Sequence, residues 1–233
     1  MNSAILTIDD FSSKITPAIT DFLIEKKIPA IFFAAGENVE KHYNEAVYAV
    51  QKGFTVGNHS YSHTAFSEIS LEEGIEEIEK CEKVLNKLYK DCGKERKHRP
   101  FRFPYGDKGG KNKDGIQKYL KENGFHKVND RFIPYGWWKT HHMDTDIDTF
   151  WTFDFEEYLI RSNSGFTKEN VFRKMDDRNP EKGAALISEN NRHIILMHDQ
   201  AETDVMVPGY YKLFLSRAIE MGLSFEKPEF ILI

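Results

Sequence analysis

Residues 4–10 read Ala-Ile-Leu-Thr-Ile-Asp-Asp, an apolar run that ends in two adjacent carboxylates. The run is short and continuous, which predicts a buried strand of a parallel sheet. Thr16 and Pro17 follow as a typical helix start, and the apolar residues after them recur at helical spacing. The amino-terminal part of the chain therefore predicts one strand–helix unit, with acidic side chains where the strand ends.

The same alternation continues through the rest of the chain. Further buried strands are predicted at residues 30–35, 54–57, 101–103, 125–128, 150–155 and 193–197, and helices at residues 43–52, 70–89, 114–123 and 209–221. Repeated strand–helix units of this length predict an α/β fold with parallel strands and covering helices. No repeat or linker interrupts the pattern, so we expect a single domain over residues 1–233.

The composition narrows the classes of protein to which the chain can belong. Its 233 residues are 40% hydrophobic and carry a formal net charge of −5. The apolar fraction excludes most disordered chains. The negative charge argues against a general nucleic-acid binder, because such proteins neutralise phosphates with an excess of Lys and Arg. No apolar stretch is long enough to span a membrane.

The amino-terminal residues lack the basic start and the long apolar run of a secretory leader. We therefore expect the chain as given to be cytoplasmic, and to be secreted if a leader has been removed. Cys81 and Cys92 do not form a Cys-x-x-Cys pair, so we expect two free thiols in or beside a helix.

Residues 59–63 read His-Ser-Tyr-Ser-His and follow the third predicted strand. Two imidazoles four residues apart lie on one face if the segment turns helically, which is typical of zinc-binding pairs. The same spacing also arises by coincidence among core or surface histidines. The pair therefore indicates a metal site only together with other ligands.

Three other predicted strands end in charged or ionisable side chains. Asp9 and Asp10 end the first strand, where a buried pair is costly unless a cation compensates it; a helix-capping aspartate is the alternative. Arg102 precedes a Pro turn from which it could hold a carboxylate, and His198 ends the strand at residues 193–197. Because α/β barrels gather their active sites at the carboxyl ends of strands, the four strand ends together predict a site.

These residues resemble the motifs of the polysaccharide deacetylases of carbohydrate esterase family 4, the NodB homology domain. The resemblance extends from residue 4 to about residue 226. The first, second, third and fifth family motifs correspond to Thr-Ile-Asp-Asp at 7–10, His-Ser-Tyr-Ser-His at 59–63, Arg-Phe-Pro-Tyr-Gly at 102–106 and Leu-Met-His at 196–198. Their order along the chain is that of the family.

The resemblance implies a distorted (β/α) barrel of the polysaccharide deacetylase type. It also implies one divalent metal ion, usually zinc, held by Asp10, His59 and His63. Three protein ligands leave positions open for water and for an acetyl oxygen. Such a ligand set would also accept cobalt or nickel.

The resemblance also implies the other roles in the site. Asp9 would be the general base, tethered by Arg102, and the backbone N–H of Tyr105 would complete an oxyanion hole. His198 would be the general acid, and Leu196 would line the acetyl pocket. A base and an acid together suit amide hydrolysis, because the amine leaving group needs a proton.

The chain departs from the family pattern in two motifs. Phe11 and Ser12 stand where the family usually has Gly-Pro after the paired aspartates. In the fourth motif, Glu157 and Tyr158 replace the usual acidic residue and Trp. We expect Glu157 to orient His198, with Asp154 second and Asp148 third as candidates. Glu157 and Asp154 have opposite parity, so a bend near Phe155 would be needed.

Two further segments leave alternatives open. In residues 129–149, Trp137 and Trp138 could stack on sugar faces or pack the loop down. His141 and His142 in the same segment could form a second metal site or a solvated pair. Residues 106–113 are rich in Gly and Lys but lack the phosphate-loop pattern, so we do not expect phosphate binding there.

The sequence thus leads us to expect a metal-dependent hydrolase that removes an acetyl group from an N-acetylated, or less plausibly an O-acetylated, sugar or polysaccharide. One alternative is a metal-dependent amidase acting on a non-carbohydrate amide. Another is a carbohydrate-binding relative that has lost catalysis. The expected partner is an acetylated carbohydrate, with no nucleic acid and no membrane span.

Overall fold

The computed structural model describes residues 2–189 and 191–233. The strands are β1 (Asn2–Phe11), β2 (Ala30–Ala34), β3 (Thr55–Asn58), β4 (Lys127–Val128), β5 (Phe153–Asp154), β6 (Arg192–His198), β7 (Leu223–Phe225) and β8 (Phe230–Ile231). The α-helices are α1 (Thr16–Lys26), α2 (Gly36–Lys41), α3 (Tyr43–Gln51), α4 (Leu71–Asp91), α5 (Lys113–Glu122), α6 (Gly136–Thr140), α7 (Lys168–Asp176), α8 (Ala201–Met206) and α9 (Tyr210–Glu220). Short 3₁₀ turns lie at Pro104–Gly106, Gly110–Asn112 and Glu157–Leu159.

The central sheet is parallel, as the alternating pattern predicts. Its strand order is β3-β2-β1-β6-β5, and β7 pairs with the first residues of β1. All five residues of β2 are buried, and β1 and β6 are buried along most of their lengths. Strands buried on both faces read as continuous apolar runs, which is why these strands were recognisable in the sequence.

Three predicted strands differ from expectation, and the one predicted at residues 150–155 is confined to β5. Residues 101–103 form only an isolated bridge, between Phe101 and Asn58, because Pro104 soon turns the chain away. The strand predicted at 125–128 is confined to β4 and pairs antiparallel with β8 in a separate two-stranded sheet. The expectation that all these strands join one parallel sheet is therefore wrong for this segment.

Several local expectations are confirmed. Helix α4 begins at the predicted cap, where the Ser70 hydroxyl accepts from the backbone of Glu73 and the Glu73 carboxylate accepts from the backbone of Ser70. Cys81 and Cys92 are free thiols, in α4 and at its carboxyl end. Among the described residues, no helix combines the length and the hydropathy that crossing a bilayer would require.

Strand β1 contains an irregularity that matters for the site. Along its pairing with β2, Ile8 lies opposite Phe32 but Phe11 lies opposite Ala34, so β1 has one extra residue. Asp10 takes up this bulge with a left-handed φ of 62°. The bulge breaks the strict alternation of side chains, and both Asp9 and Asp10 line the same cleft.

A substitution at Gly57 in β3 would show how tightly the segment before Arg102 packs on the sheet. A Cβ there would lie 2.8 Å from the Pro100 carbonyl oxygen and 2.9 Å from Cδ1 of Phe33. We expect Gly57→Ala to lower the free energy of unfolding by about 1–3 kcal/mol through overpacking. Denaturant unfolding measures this change. Gly136→Ala is the control, because that Cβ would meet nothing within 4 Å; equal losses in both variants would contradict the prediction.

Candidate active site

The carboxyl ends of β1, β3, β5 and β6 open into one cleft with a volume of about 220 Å³. Its lining includes the sequence-predicted residues Asp9, Asp10, His59, His63, Tyr105, Tyr158, Leu196 and His198. Arg102 and Glu157 are buried beneath it, with 1% and 0% of their surfaces exposed. The structure therefore brings together every side chain to which the family resemblance assigns a role in the site. A larger cavity of about 520 Å³ lies at the amino ends of β2 and β3, and its lining contains no carboxylate.

One cluster in the cleft could hold a metal ion. Asp10, His59 and His63 each offer a ligand atom, and these atoms all lie within 4.8 Å of one another. Nε2 of His63 is 3.3 Å from Oδ1 of Asp10, and Nε2 of His59 is 3.4 Å from Oδ2 of Asp9. Two imidazole nitrogens and a carboxylate are a donor set that suits zinc and neighbouring divalent metals.

The two histidines do not converge as a helix pair. Residues 59–63 form an irregular turn, with left-handed φ values of 66° at Ser60 and 61° at His63. The backbone N–H of His63 is held by the hydroxyl of Ser60, 3.0 Å away. The segment does not turn helically, and the two rings nevertheless meet beside Asp10.

Hydrogen bonds orient the possible ligands. Nδ1 of His59 lies 2.8 Å from the carbonyl oxygen of Arg102, which leaves Nε2 directed to the cleft. Nε2 of Gln200 donates to Oδ2 of Asp10 over 2.7 Å. Burial and the neighbouring His59 lower the pKa of His63 to about 4, so its ring is neutral at pH 7 and can bind a metal.

The charge of Asp10 is also settled by its surroundings. Burial acts to raise the pKa of this carboxyl, but His198, His63 and His59 together hold the pKa below its ordinary value. Asp10 is therefore ionised at neutral pH. An ionised carboxylate beside neutral imidazole is the protonation state that metal binding requires.

Asp9 forms a buried ion pair with Arg102. Nη1 of Arg102 lies 2.7 Å from Oδ1 of Asp9 and 2.8 Å from the hydroxyl of Thr7. Nε of Arg102 donates to the carbonyl of Thr149, and the guanidinium lies 4.5 Å from the ring centroid of Phe33. The predicted tether is thus present, and it leaves Oδ2 of Asp9 facing the histidines. The helix-capping alternative for Asp9 finds no support in these contacts.

His198 is oriented by Glu157. Oε1 of Glu157 accepts the backbone N–H of His198 over 2.5 Å and lies 3.2 Å from Nδ1 of its ring. Burial would lower the pKa of His198, but the charge and hydrogen bond of Glu157 raise it to about 10. His193 is also enclosed but has no carboxylate beside it, and burial lowers its pKa to about 4. The carboxylates around His198, Glu157 first among them, therefore keep it protonated at pH 7.

Neither of the other two candidates for this tether is hydrogen-bonded to His198 among the described residues. Asp154 lines the cleft and accepts the backbone N–H of Glu156. Asp148 is buried in an ion pair with Lys108, at 2.7 Å. The bend required to admit Glu157 falls at Glu156, whose left-handed φ is 58°. It lies one residue beyond the expected position.

Aromatic rings surround the mouth of the cleft. Tyr105 has a left-handed φ of 59° and its side chain is 69% exposed, with its ring centroid 4.5 Å from that of His63. The Tyr158 ring lies 4.6 Å from that of His198. Sequence reasoning missed three lining residues, Trp151, Arg161 and Gln200. Of these three, only Trp151 could have been predicted from the sequence, because it lies beside the fourth family motif.

The remaining alternatives are also resolved by contacts. Trp138 is 2% exposed and donates to Asp130, so it packs the core. Neither tryptophan of the pair at 137–138 lines the cleft. His141 and His142 are exposed and belong to neither metal-type cluster of the described residues. Lys108 and Lys113 of the Gly- and Lys-rich loop are paired with Asp146, at 2.7 and 2.9 Å.

Solved structures share this fold. The polysaccharide deacetylase Bc1974 from Bacillus cereus superposes with a TM-score of 0.66 at 21% identity, covering 97% of this chain and 92% of that one. BA3943, a CE4 family pseudoenzyme from Bacillus anthracis, gives 0.61 at 20% identity, covering 96% of this chain and 63% of that one. The expected fold class, a distorted barrel with a mainly parallel sheet, is confirmed.

Curated proteins match a shorter part of the chain. A peptidoglycan-N-acetylglucosamine deacetylase of Bacillus cereus is 38% identical over 84 residues, which are 36% of this chain and 30% of that protein. Chitin deacetylase 1 of Cryptococcus neoformans is 32% identical over 102 residues, 44% of this chain and 21% of that protein. The chain spans less than a third of the length of these relatives.

The family comparison covers more of the sequence. The polysaccharide deacetylase family model matches residues 1–128, which is more than half of the chain. The match includes Asp9, Asp10, His59, His63 and Arg102. Glu157 and His198 lie beyond it, and their place in the same cleft comes from the structure. The chain belongs to the polysaccharide deacetylase family.

Proposed function

We propose that this protein is a metal-dependent hydrolase that removes the acetyl group from an N-acetylated sugar of a glycan. One observation carries the proposal. A possible metal triad, a buried Asp9–Arg102 ion pair and a His198–Glu157 pair all meet in a single cleft. Amide hydrolysis needs an electrophilic centre, a base and an acid, and the cleft offers a group for each.

The metal would be held by Asp10, His59 and His63, and zinc is the ion that suits these donors best, with cobalt and nickel also fitting. When bound, the ion would acidify water and polarise the acetyl carbonyl. Gln200 and the carbonyl of Arg102 would keep two of the ligands in orientation.

Asp9 would take the proton of the attacking water as general base. The guanidinium of Arg102 holds one of its oxygens and leaves the other free towards the cleft. The backbone N–H of Tyr105 makes no hydrogen bond within the described chain, so it is available to the developing oxyanion. The left-handed φ of Tyr105 sets the direction of that N–H.

His198 would protonate the leaving nitrogen. Its raised pKa keeps the imidazole charged at neutral pH, and an amine leaves readily only after it gains a proton. This favours N-acetyl over O-acetyl substrates. Leu196, buried at the base of the cleft, would contact the acetyl methyl group.

The aromatic rim supports a sugar substrate. Tyr105, Trp151 and Tyr158 line the cleft around the possible metal ligands. Aromatic rings offer broad apolar faces with polar edges, which suit a sugar ring better than a flexible chain. The relatives named above are described as acting on peptidoglycan N-acetylglucosamine or chitin, and an N-acetylated glycan is the substrate class common to both.

Acetate release tests the proposal. The zinc-loaded protein should release acetate from chitin oligomers, peptidoglycan fragments or nucleotide sugars. Release only from non-carbohydrate amides would favour the amidase alternative. Release from none of these, with metal bound, would favour a carbohydrate-binding relative. The completeness of the set Asp9, Asp10, His59, His63, Arg102 and His198 argues against that last outcome.

The first prediction from the proposed function concerns the metal. His59→Ala removes one of three ligands, so the variant should retain less than about a tenth of the metal that the wild type holds after dialysis. Elemental analysis measures the ratio of metal to chain. His141→Ala is the control, because His141 is exposed outside the cleft. Full occupancy in His59→Ala would show that the ligand assignment is wrong.

The second prediction separates the base from the ligands. Asp9→Asn should keep the metal but lower kcat roughly 10²–10⁴-fold, because the amide cannot accept the proton of water. The exposed residue Asp114 provides the matched control, Asp114→Asn. Near wild-type turnover by Asp9→Asn with metal in place would remove Asp9 from the mechanism.

The third prediction concerns the proton on His198. Removing the charge of Glu157 should lower the pKa of His198 from about 10, so Glu157→Gln should bring its titration to lower pH. NMR of the imidazole in the metal-free protein measures this directly. Because the acid form is lost as pH rises, the alkaline limb of kcat should move to lower pH as well. A limb that shifts only in Asp154→Asn would assign the tether to Asp154.

A further inference from the structure

A second cluster of metal-type ligands lies in the same cleft. Asp154, Glu157 and His198 each offer a ligand atom, and these atoms all lie within 4.8 Å of one another. The three residues come from the end of β5, the 3₁₀ turn that follows it and the end of β6. None of them belongs to the triad of Asp10, His59 and His63.

One atom of this cluster is buried without a partner. Oε1 of Glu157 accepts the backbone N–H of His198 and faces Nδ1 of its ring. The Glu157 side chain is completely enclosed, and its Oε2 has no hydrogen bond among the described residues. An unsatisfied buried carboxylate oxygen is costly, and native structures normally supply a donor or a cation.

The cluster also carries an excess of negative charge. Two carboxylates share a single imidazolium, and Lys174, whose charge acts on Asp154, is paired with Glu156.

We propose that Asp154, Glu157 and His198 form a second divalent-cation site. Two carboxylates and an imidazole are the donor types that zinc accepts, and an ion there would contact the unpartnered Oε2 of Glu157. Binding releases the proton of His198 to solvent, because the nitrogen must be neutral to coordinate. The ion must displace that proton and part of the Glu157–His198 bond, so this site is weaker than the triad.

A regulatory consequence follows, and it rests on the proposed function. A coordinated His198 has no proton to give to a leaving amine. Metal in excess of one equivalent should therefore inhibit the enzyme that the first equivalent activates. The two ions would act in opposite directions through two clusters of residues at one cleft.

Metal stoichiometry tests the site without reference to activity. Equilibrium dialysis against zinc at fixed pH, with elemental analysis, should give about two ions per wild-type chain and about one in Asp154→Asn. His63→Ala should lose the tighter ion and keep the weaker one. Asp114→Asn, on an exposed helix, is the control and should bind two.

Glu157→Gln provides a second variant in case Asp154→Asn does not fold, and it should also bind about one ion. Unfolding midpoints establish that each variant is native. One ion per wild-type chain at saturating zinc would overturn the second site. So would two ions in a folded Asp154→Asn variant together with two in folded Glu157→Gln.

Activity provides the other arm. The rate of each variant in excess zinc is divided by its own rate at one equivalent of zinc. The inhibition constant for excess zinc should be at least about tenfold higher in Asp154→Asn than in the wild type. Unchanged inhibition in that variant would overturn the inhibitory role. If no substrate releases acetate, the proposed function fails, and the stoichiometry arm still decides the second site.

Discussion

The buried guanidinium of Arg102 is the interaction on which the rest of the site depends. It bonds Thr7 and Asp9 on β1, the carbonyl of Thr149 at the end of the 129–149 segment, and packs on Phe33 of β2. The backbone carbonyl of Arg102 is hydrogen-bonded to Nδ1 of His59. Taking this charge out of water is costly, and removing one partner of such a pair typically costs about 3–5 kcal/mol. The same residue therefore fixes the base, one possible ligand and three segments of chain.

Histidines in this molecule show how neighbours determine chemistry. The pKa values of His63 and His193 are lowered to about 4 by partial or full burial, whereas the pKa of the partly buried His198 is raised to about 10. Burial acts in the same direction on all three. The difference comes first from Glu157, whose carboxylate lies 3.2 Å from Nδ1 of His198, with Asp10 and Asp154 acting in the same direction. The surrounding carboxylates thus separate an acid from the neutral, ligand-type imidazoles.

The sequence predicted most of the parallel sheet because its strands are continuous apolar runs, and it predicted the cleft because polar groups follow those runs. The sequence did not show which backbone feature lets Asp9 and Asp10 face one cavity. Strict alternation would place them on opposite faces, and the bulge at Asp10 that overcomes this depends on the pairing with β2. A second backbone irregularity, the bend at Glu156, lets Glu157 reach His198.

Other features depend on contacts distant in sequence and were missed for that reason. Gln200 belongs to no motif, and only the folded chain places it beside Asp10, which is 190 residues away in the sequence. Residues 101–103 looked like a full strand, but they form a single bridge because Pro104 ends the extended run. Short strands next to proline carry too little local information to be sized from sequence.

Asp10, His63 and Tyr105, three residues at the heart of the cleft, have left-handed backbone conformations without being glycine. Each such residue costs roughly 1–2 kcal/mol relative to ordinary helical geometry. Glycine at these positions would relax the backbone but would delete the carboxylate, the imidazole or the aromatic ring. In a lineage no longer selected for chemistry, substitutions that relax these positions would raise stability, so the cleft would be the first region to decay while the sheet around it persisted.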